Sequence, residues 1–265
     1  MSRPTQAPPV VLITGAGRGI GRGTALALAA AGCRLGLIDR DPSNLAAVAA
    51  ELRASGAAVA VAAADVTDSA ALVAAVAHLE AEVGPTDVLV ACAGIGGMTP
   101  LPPDLEIDGL RAMFEVNVVG MARSIQAVLP GMIARGRGHI VGVSSVTAFR
   151  GMPWMVAYST SKAAVSAMLE GFRPAFRRRG VTITTVCPGL VRTALTADTP
   201  FRNPVPMMEP EQAGRRIARA ALRRPRNCVF PLSAALGMNF LRLVPDRVFD
   251  WMMDRAGPQA LTTEF

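Results

Sequence analysis

Short apolar segments alternate with alanine-rich segments along most of this sequence, and this alternation constrains the fold more than any other feature. Most apolar segments are continuous rather than alternating in polarity, which is typical of strands buried on both faces of a parallel sheet. Helical segments lie between them, so the order predicts one doubly wound α/β domain with helices on both faces. The predicted strands are residues 10–14, 34–39, 57–62, 87–91, 139–144, 181–187 and 228–230, and the predicted helices are 19–31, 43–54, 69–83, 105–134, 157–178 and 210–224.

The chain of 265 residues is long enough for one such domain, which we place at residues 10–230. Residues 1–9 are predicted to form a flexible tail. Residues 194–209 are rich in proline and too long for a plain connection, so they are predicted to form a substrate loop or lid. Residues 231–265 form an amphipathic C-terminal extension, which is expected to pack on its own domain or on a partner subunit. The alternative is that the extension lies flat on a bilayer.

Composition argues against several classes of protein. The four cysteines show neither disulfide nor zinc spacing, and the sequence shows no long uncharged apolar run and no apolar segment typical of a secretory signal. We therefore expect a cytoplasmic protein without a metal site. The net charge of +7 comes from scattered arginines without interleaved aromatic side chains, so nucleic acid is not an expected partner.

A glycine-rich turn directly follows the first predicted strand and precedes the first predicted helix. Residues 14–21 read Thr-Gly-Ala-Gly-Arg-Gly-Ile-Gly. Glycines in this position allow the backbone to turn tightly and to approach a pyrophosphate, whose charge is favoured at the N-terminus of a helix. The turn therefore predicts a dinucleotide site. The site residues predicted from this turn are Gly15, Gly17, Arg18, Gly19, Ile20 and Gly21.

Charged side chains near the ends of the first three strands are predicted to contact the adenosine part of the dinucleotide. Asp39 closes the second strand, where it would accept hydrogen bonds from the adenosine ribose and repel a 2′-phosphate, which favours NAD. Arg18 and Arg40 lie where a 2′-phosphate would be bound, so NADP is the alternative. Asp65, after the third strand, is placed to accept from the adenine amino group, although an aspartate there is also typical of a helix cap.

The one tyrosine and the one lysine of the chain lie four residues apart, at Tyr158 and Lys162. Residues four apart on a helix share a face, so the phenol and the ammonium are predicted to meet. A free phenol has a pKa of about 10, and a nearby cation together with an oxidised nicotinamide ring would bring it closer to neutrality for general acid and base catalysis. Ser145, after the fifth strand, is predicted to hydrogen-bond the substrate oxygen, with Ser144 as the alternative.

Together these motifs resemble those of the short-chain dehydrogenase/reductase (SDR) family over residues 10–230. The resemblance implies a Rossmann-type fold, a nicotinamide cofactor, and a homodimer or homotetramer. It also implies that Asn117 joins the catalytic set, with its backbone carbonyl holding a water next to Lys162. The other contacts with the cofactor that the resemblance implies are Val66, Ala93, Gly94, Tyr158, Lys162, Pro188, Gly189, Val191 and Thr193.

One position departs from the family pattern, because Cys92 stands where the family usually has asparagine before Ala93 and Gly94. We expect local repacking around an inert buried thiol at this position. His78 lies on a predicted helix and His139 at the start of a predicted strand, and neither is assigned a catalytic role.

The segments in which the family places its substrate pocket are bulky and almost uncharged in this chain, so we expect a lipophilic secondary alcohol or ketone as substrate. The alternative within the same class is an NADPH-dependent reductase of 3-oxoacyl thioesters, with the Arg215 to Arg226 stretch facing an acidic carrier protein. A catalytically silent dinucleotide sensor is the alternative outside the enzyme class. The pocket candidates are Phe149, Met152, Trp154, Met155, Leu190, Leu195, Phe201, Met207 and Met208, which could equally form core or dimer contacts.

Overall fold

The computed structural model describes residues 8–99, 106–196 and 207–256. Seven strands form one parallel sheet, as the alternation of segments predicts. The strands are β1 (Val10–Thr14), β2 (Arg34–Asp39), β3 (Val59–Ala63), β4 (Val88–Ala91), β5 (Gly138–Val143), β6 (Val181–Pro188) and β7 (Asn227–Phe230). Their order across the sheet is β3-β2-β1-β4-β5-β6-β7. The order reverses between β1 and β4, and a crevice forms at the carboxyl ends of the strands around such a point.

Helices connect the strands and cover both faces of the sheet. The helices are α1 (Gly19–Ala30), α2 (Pro42–Ala54), α3 (Ser69–Val83), α4 (Ile107–Phe114), α5 (Gly120–Ala134), α6 (Val156–Arg177), α7 (Pro210–Arg223), α8 (Leu232–Leu243) and α9 (Asp246–Ala256). The doubly wound α/β architecture predicted from the sequence is therefore confirmed.

Two apolar clusters hold the helices against the sheet. On one face, Leu28 of α1, Leu45 of α2 and Ile217 of α7 pack in a single cluster with the strands. On the other face, helices α3, α5 and α6 contribute a second cluster that includes Leu79 and Leu169. Each fully buried side chain of this size contributes roughly 1.5–3 kcal/mol relative to exposure, so these clusters fix the positions of the helix ends that form the crevice.

Aspartate caps set the starts of two helices. Asp41 accepts hydrogen bonds from two backbone N–H groups in the first turn of α2, and Asp68 does the same for α3. Helix α1 differs, because Arg18 stands at its N-cap position and no described side chain caps it. The first N–H groups of α1 are therefore available to a ligand.

The long helix predicted over residues 105–134 is interrupted. Helix α4 ends at Phe114, and a π-helical turn (Glu115–Val119) separates it from α5. A π turn holds an extra residue, so it changes which side chains point toward the sheet. By length and composition, the run Ile107–Ala134 would be able to cross a membrane. Its residues Met121, Val128 and Met132 are instead buried in the core of this domain.

The C-terminal extension forms α8 and α9 and packs on the domain that precedes it. Apolar side chains of α9 contact the segment between β5 and α6. Of the predicted substrate loop 194–209, residues 197–206 lie outside the described part of the chain. So do most of the predicted tail at 1–9 and the last residues of the extension.

Candidate active site

A cleft of about 420 Å³ opens at the carboxyl ends of the strands, around the point where the strand order reverses. Segments that follow β1, β2, β3, β4, β5 and β6 all contribute to its walls. Of the predicted site residues, all but Gly17 and Asn117 line it. Those that line it are Gly15, Arg18, Gly19, Ile20, Gly21, Asp39, Arg40, Asp65, Val66, Ala93, Gly94, Ser145, Tyr158, Lys162, Pro188, Gly189, Val191 and Thr193.

The glycine-rich turn forms one wall of the cleft. Gly15 and Gly19 have φ angles of 68° and 53°, in the left-handed region that glycine adopts without strain. A Cβ on Gly21 would lie 1.9 Å from the carbonyl oxygen of Gly15, so only glycine allows α1 to start this close to β1. The uncapped start of α1 lines the cleft with Arg18 and Ile20. Free N–H groups at the positive end of a helix, on a wall without side-chain bulk, fit a pyrophosphate.

Asp39 closes β2 beside this turn. Its Oδ2 accepts a hydrogen bond from the backbone N–H of Gly17 at 2.8 Å, and its Oδ1 accepts one from Asp41 at 3.0 Å. The carboxylate is therefore held at the edge of the cleft by two backbone donors. Gly17 does not line the cleft. Its N–H donates to Asp39, so Gly17 positions the carboxylate of Asp39.

Asp65 is not a helix cap, because the N-cap of α3 is Asp68, and its contact with the adenine stays a prediction. Its Oδ1 accepts hydrogen bonds from the backbone N–H and the hydroxyl of Thr67, both at 2.8 Å, and the residue lines the cleft. The backbone hydrogen bond lowers the pKa of Asp65, and the Thr67 hydroxyl and the charge of Arg40 add to that lowering against the opposing effect of burial. Asp65 is thus an acceptor fixed by its own turn.

Strand β5 and helix α6 bring Ser145, Tyr158 and Lys162 together at the other end of the cleft. The Nζ of Lys162 donates to the carbonyl oxygen of Val143 at 3.0 Å and lies 5.7 Å from the centroid of the Tyr158 ring. The Ser145 hydroxyl is hydrogen-bonded to Tyr158. Ser145 and Lys162 are buried, and Tyr158 is half-buried because part of its ring lines the cleft. The predicted pairing of phenol and ammonium therefore exists in the fold.

Burial disfavours the charged forms of both groups. It raises the pKa of Tyr158 to about 12, an effect that the hydrogen bond from Ser145 partly opposes. It lowers the pKa of Lys162 to about 8. The side chains of the protein alone therefore do not bring the phenol close to neutrality. Burial of the phenol is the main reason, and the Lys162 Nζ donates to the carbonyl oxygen of Val143.

The neighbouring serines have separate roles. The Ser144 hydroxyl donates to the Lys162 carbonyl oxygen at 2.8 Å and lies 2.8 Å from the Ser166 hydroxyl, so it faces α6. The Ser145 oxygen accepts hydrogen bonds from the hydroxyl of Thr147 at 2.9 Å and from its N–H at 3.2 Å. Because these donors occupy the acceptor positions of Ser145, its own hydrogen is directed to Tyr158 and the cleft. Ser145, not Ser144, is the candidate for binding a substrate oxygen.

Asn117 is buried behind the cleft in the π turn. Its Oδ1 accepts a hydrogen bond from the N–H of Ile95 at 2.8 Å, and its Nδ2 donates to the carbonyl of Ile95 at 2.9 Å and to the hydroxyl of Ser161 at 3.0 Å. The side chain thus joins the segment after β4 to the turn of α6 that carries Lys162. The role of its backbone carbonyl in holding a water stays a prediction.

Cys92 lines the cleft without a reactive environment. Burial raises the pKa of its thiol to about 11, so the thiol is protonated at neutral pH. The backbone N–H groups of Cys92 and Ala93 both donate to the Thr14 hydroxyl, at 3.2 and 3.3 Å, which links β4 to β1 without using the thiol.

His139 is buried at the opposite end of the sheet, where burial lowers its pKa to about 4, and His78 is exposed on α3.

The segment after β6 forms the wall opposite the glycine turn. Pro188, Gly189, Val191 and Thr193 lie there as predicted. A Cβ on Gly19 would stand 3.3 Å from the Thr193 side chain, so the two walls approach each other closely.

Sequence reasoning missed some residues of the site. Arg192 lines the cleft between two predicted residues and pairs with Glu209 at 3.0 Å. Its place between Val191 and Thr193 was a sufficient signal. Thr147 was recognisable from its hydroxyl two residues after Ser145, a spacing typical of local side-chain to backbone hydrogen bonds. No local signal distinguishes Ile95 and Val116, which also line the cleft.

The residues predicted for the substrate pocket divide into two groups. Met155, Leu190 and Leu195 line the cleft. The other described candidates do not line the cleft, so the prediction that they belong to the substrate pocket was wrong. Trp154 packs against Phe249 and Met253 of α9. Phe149 and Met152 pack in clusters with residues of α8, and Met208 packs on the main core. Met207 is described but does not line the cleft, and Phe201 lies outside the described residues.

The short chain dehydrogenase family model matches residues 9–202. The chain belongs to the short-chain dehydrogenase family. An uncharacterized oxidoreductase of Myxococcus xanthus is 38% identical to this short-chain dehydrogenase over 239 residues, which cover 90% of this chain and 94% of that protein.

Solved structures of other dehydrogenases have the same fold, in agreement with the family assignment. A short-chain dehydrogenase/reductase from Burkholderia phymatum in complex with NAD superposes with a TM-score of 0.80 at 25% identity, over 88% of this chain and 92% of that one. A gluconate 5-dehydrogenase from Burkholderia cenocepacia in complex with NADP and tartrate gives a TM-score of 0.76 at 28% identity, over 87% and 96% of the two chains. This short-chain dehydrogenase is thus an oxidoreductase acting on CH–OH groups with NAD or NADP.

Proposed function

We propose that this short-chain dehydrogenase interconverts a secondary alcohol and a ketone on a lipophilic substrate, with Tyr158 as the general acid and base. One observation carries the proposal: Ser145, Tyr158 and Lys162 meet in a cleft that continues to an uncapped helix start at the glycine turn. A nicotinamide nucleotide, when bound, supplies the hydride chemistry. The walls at Gly15, Gly19 and the start of α1 would hold its pyrophosphate.

The side chains account for the proton transfer. In the direction of reduction, the protonated phenol of Tyr158 gives its proton to the ketone oxygen, and Ser145 donates a hydrogen bond to the same oxygen. The Lys162 ammonium stabilises the phenolate that remains. The Lys162 Nζ lies 5.7 Å from the centroid of the ring that carries the hydroxyl. A unit charge about 5–6 Å from the phenolate contributes about 3 kcal/mol at an effective dielectric constant of about 20. In the direction of oxidation, the same groups take the proton from the alcohol.

The lining near the catalytic side chains supports an apolar substrate. Met155, Leu190, Leu195 and Val146 line the same cleft as Tyr158. The acidic side chains described in the lining, Asp39 and Asp65, belong to the adenosine end. Deformable apolar walls with a few polar groups favour lipophilic ligands over sugars or hydroxy acids.

NAD is the cofactor that we propose, with NADP as the alternative. Asp39 is fixed by two backbone N–H groups, so its charge cannot turn away from a 2′-phosphate without losing both hydrogen bonds. Arg18 and Arg40 also line the cleft and would favour NADP if they approached a phosphate. We propose a homodimer or homotetramer located in the cytoplasm.

A cofactor-reduction screen tests the proposal. The purified enzyme is given a broad panel of alcohols with NAD⁺ and with NADP⁺, and absorbance at the wavelength of the reduced nucleotide is followed. We expect turnover with lipophilic secondary alcohols. Higher kcat/KM for sugars or polar hydroxy acids would contradict the proposed substrate class, and turnover that survives intact in Tyr158→Phe would contradict the proposed acid and base.

The reduction of 3-oxoacyl thioesters is the second candidate, because α7 exposes a row of basic side chains that an acidic carrier protein would fit. Arg215, Arg216, Arg219 and Arg223 are all exposed there. Titration with NADH and NADPH, followed by turnover of acetoacetyl-CoA, separates the two candidates. A strong preference for NADPH together with rapid thioester reduction would favour the second.

A further inference from the structure

The inner sides of α8 and α9 contact the domain that precedes them. Arg150, which follows the catalytic Ser145 by five residues, donates to the carbonyl oxygens of Leu241 and Val244, both at 2.7 Å. It also donates to Asp246 at 2.9 Å, and its guanidinium lies 4.0 Å from the centroid of the Phe249 ring. These contacts fix which sides of α8 and α9 face the domain.

Apolar side chains form the outer side of α8. Leu232, Leu236, Phe240 and Leu243 share one side of the helix by their spacing, and they are 62% to 83% exposed. Ala235 and Leu241, on the other side, pack inward. A helix that is apolar on both sides is normally covered on both sides.

The outer side of α9 places a tryptophan between two arginines. Trp251 is two positions from both Phe249 and Met253, which is about 200° around a helix, so it faces away from the buried side. It is 55% exposed. Arg247 and Arg255 lie four positions before and after it. The Arg255 guanidinium stands 4.2 Å from the centroid of the Trp251 ring.

We propose that this outer surface, made of Leu232, Leu236, Phe240, Leu243 and the Arg247-Trp251-Arg255 ridge, docks on the surface of an anionic phospholipid bilayer. The leucines and the phenylalanine enter the acyl boundary, and tryptophan and arginine occupy the headgroup level, where both side chains are favoured. This inference goes beyond the proposed function and is independent of catalysis.

The positive charge of the arginines on this surface favours an anionic bilayer over a second copy of the chain as the occupant. A two-fold contact through this surface would bring the Arg247 and Arg255 ridge of one copy toward that of the other, and like charges that lose water are unfavourable. Anionic headgroups complement the ridge and the net charge of +7. Three aspartates of α9 lie on a neighbouring ridge, and one of them, Asp246, is held by Arg150.

The two tryptophans of the chain make the proposal measurable. Trp154 is buried against α9, and Trp251 is exposed on the proposed surface. In Trp154→Phe, Trp251 is the only tryptophan. We expect its emission to shift to the blue with vesicles of phosphatidylcholine and phosphatidylglycerol, and to be quenched when the lipids carry bromine. Pure phosphatidylcholine should give a weaker effect, and high salt should reduce binding. Flotation of the unmodified chain with the same vesicles checks that the substitution does not create the binding.

Substitutions on the surface have matched controls elsewhere in the chain. Leu236→Ser combined with Phe240→Ser should weaken vesicle binding roughly tenfold or more, because two apolar side chains are lost. Arg247→Glu should weaken it several-fold and only at low salt. Val73→Ser removes a side chain that is 57% exposed on α3, and Arg223→Glu makes the same charge change on α7, and neither should matter.

Three results would overturn the proposal. The first is an unmodified chain that does not float with anionic vesicles. The second is a double variant that folds, as judged by thermal melting, and still binds vesicles as tightly as the unmodified chain. The third is a change of mass in the double variant, measured by light scattering without lipid, since this would show that a second copy covers the surface. None of these readouts depends on dehydrogenase activity.

Discussion

The two ends of the cleft are built on different physical principles. At the end where we propose that the adenosine binds, Asp39 and Asp65 are held by hydrogen bonds from nearby backbone groups, and Arg18 and Arg40 are exposed. At the catalytic end, Ser145 and Lys162 are buried, and burial displaces the pKa values of Lys162 and Tyr158 in opposite directions. In the proposed function, the first end selects the nucleotide by local geometry, and the second end promotes the reaction by excluding water.

This difference predicts different consequences of substitution. Changes at the buried end should alter rate and pH dependence while leaving nucleotide affinity in place. Changes at the open end should alter the choice of nucleotide while leaving the chemical step in place. Four substitutions test the separation, from the largest expected effect to the smallest.

Replacing Tyr158 should have the largest effect. Tyr158→Phe removes the hydroxyl that is proposed to give its proton to the substrate oxygen and keeps the ring, so kcat should fall roughly 10²–10⁴-fold. The dissociation constant of the nucleotide, measured by fluorescence titration, should stay within about twofold, a bound set by the loss of one weak contact. A loss of affinity as large as the loss of rate would break the proposed separation of the two ends.

Replacing Lys162 should slow the reaction and change its pH dependence. Lys162→Met removes about 3 kcal/mol of phenolate stabilisation, which corresponds to roughly a hundredfold in kcat. In the unmodified enzyme, burial lowers the pKa of Lys162 to about 8, so the ammonium is present below that pH and is lost above it. The rate of reduction should therefore fall as pH rises through about 8.

Lys162→Arg is the matched control for this pH effect. Arginine keeps its charge throughout, so the fall in rate above about pH 8 should move to a higher pH even if the rate itself is reduced. Stopped-flow rates of ketone reduction between neutral and alkaline pH measure the profile. An unchanged profile in this variant would assign the titration to another group.

Replacing Asp39 should change nucleotide preference by roughly tenfold or more toward NADP, because a like charge facing the 2′-phosphate is removed. Asp39→Asn keeps the shape of the side chain and its ability to accept from Gly17. The ratio of kcat/KM for the two nucleotides is the measurement. Asp65→Asn removes a charge at the same end and should leave that ratio unchanged, since its predicted partner is the adenine rather than the 2′-phosphate.

Replacing Thr147 should have the smallest effect. Thr147→Val removes the hydroxyl that donates to Ser145 and keeps the backbone N–H that also donates to it. The loss of one neutral hydrogen bond of about 1 kcal/mol predicts a fall of roughly fivefold in kcat. Thr147→Ser keeps the hydroxyl and should restore the rate. A fall in Thr147→Ser without a fall in Thr147→Val would mean that the methyl group, rather than the hydroxyl, matters.

The sequence alone was sufficient for features whose partners are close along the chain. The succession of strands and helices along the chain follows from the alternation of apolar and helical segments, and the glycine turn is recognisable by its place between a strand and a helix. The spacing of Tyr158 and Lys162 places them on one face of α6. These features depend on local periodicity, which a single sequence records directly.

Features whose partners are distant along the chain were decided by the tertiary structure. Asn117 reaches Ile95 and Ser161 only because a π turn interrupts the long helix. Trp154 faces α9 rather than the cleft because Arg150 holds the extension in place. The pKa values of Tyr158 and Lys162 depend on how many segments enclose them. Burial and packing join residues that no local pattern relates, so only the folded chain determines them.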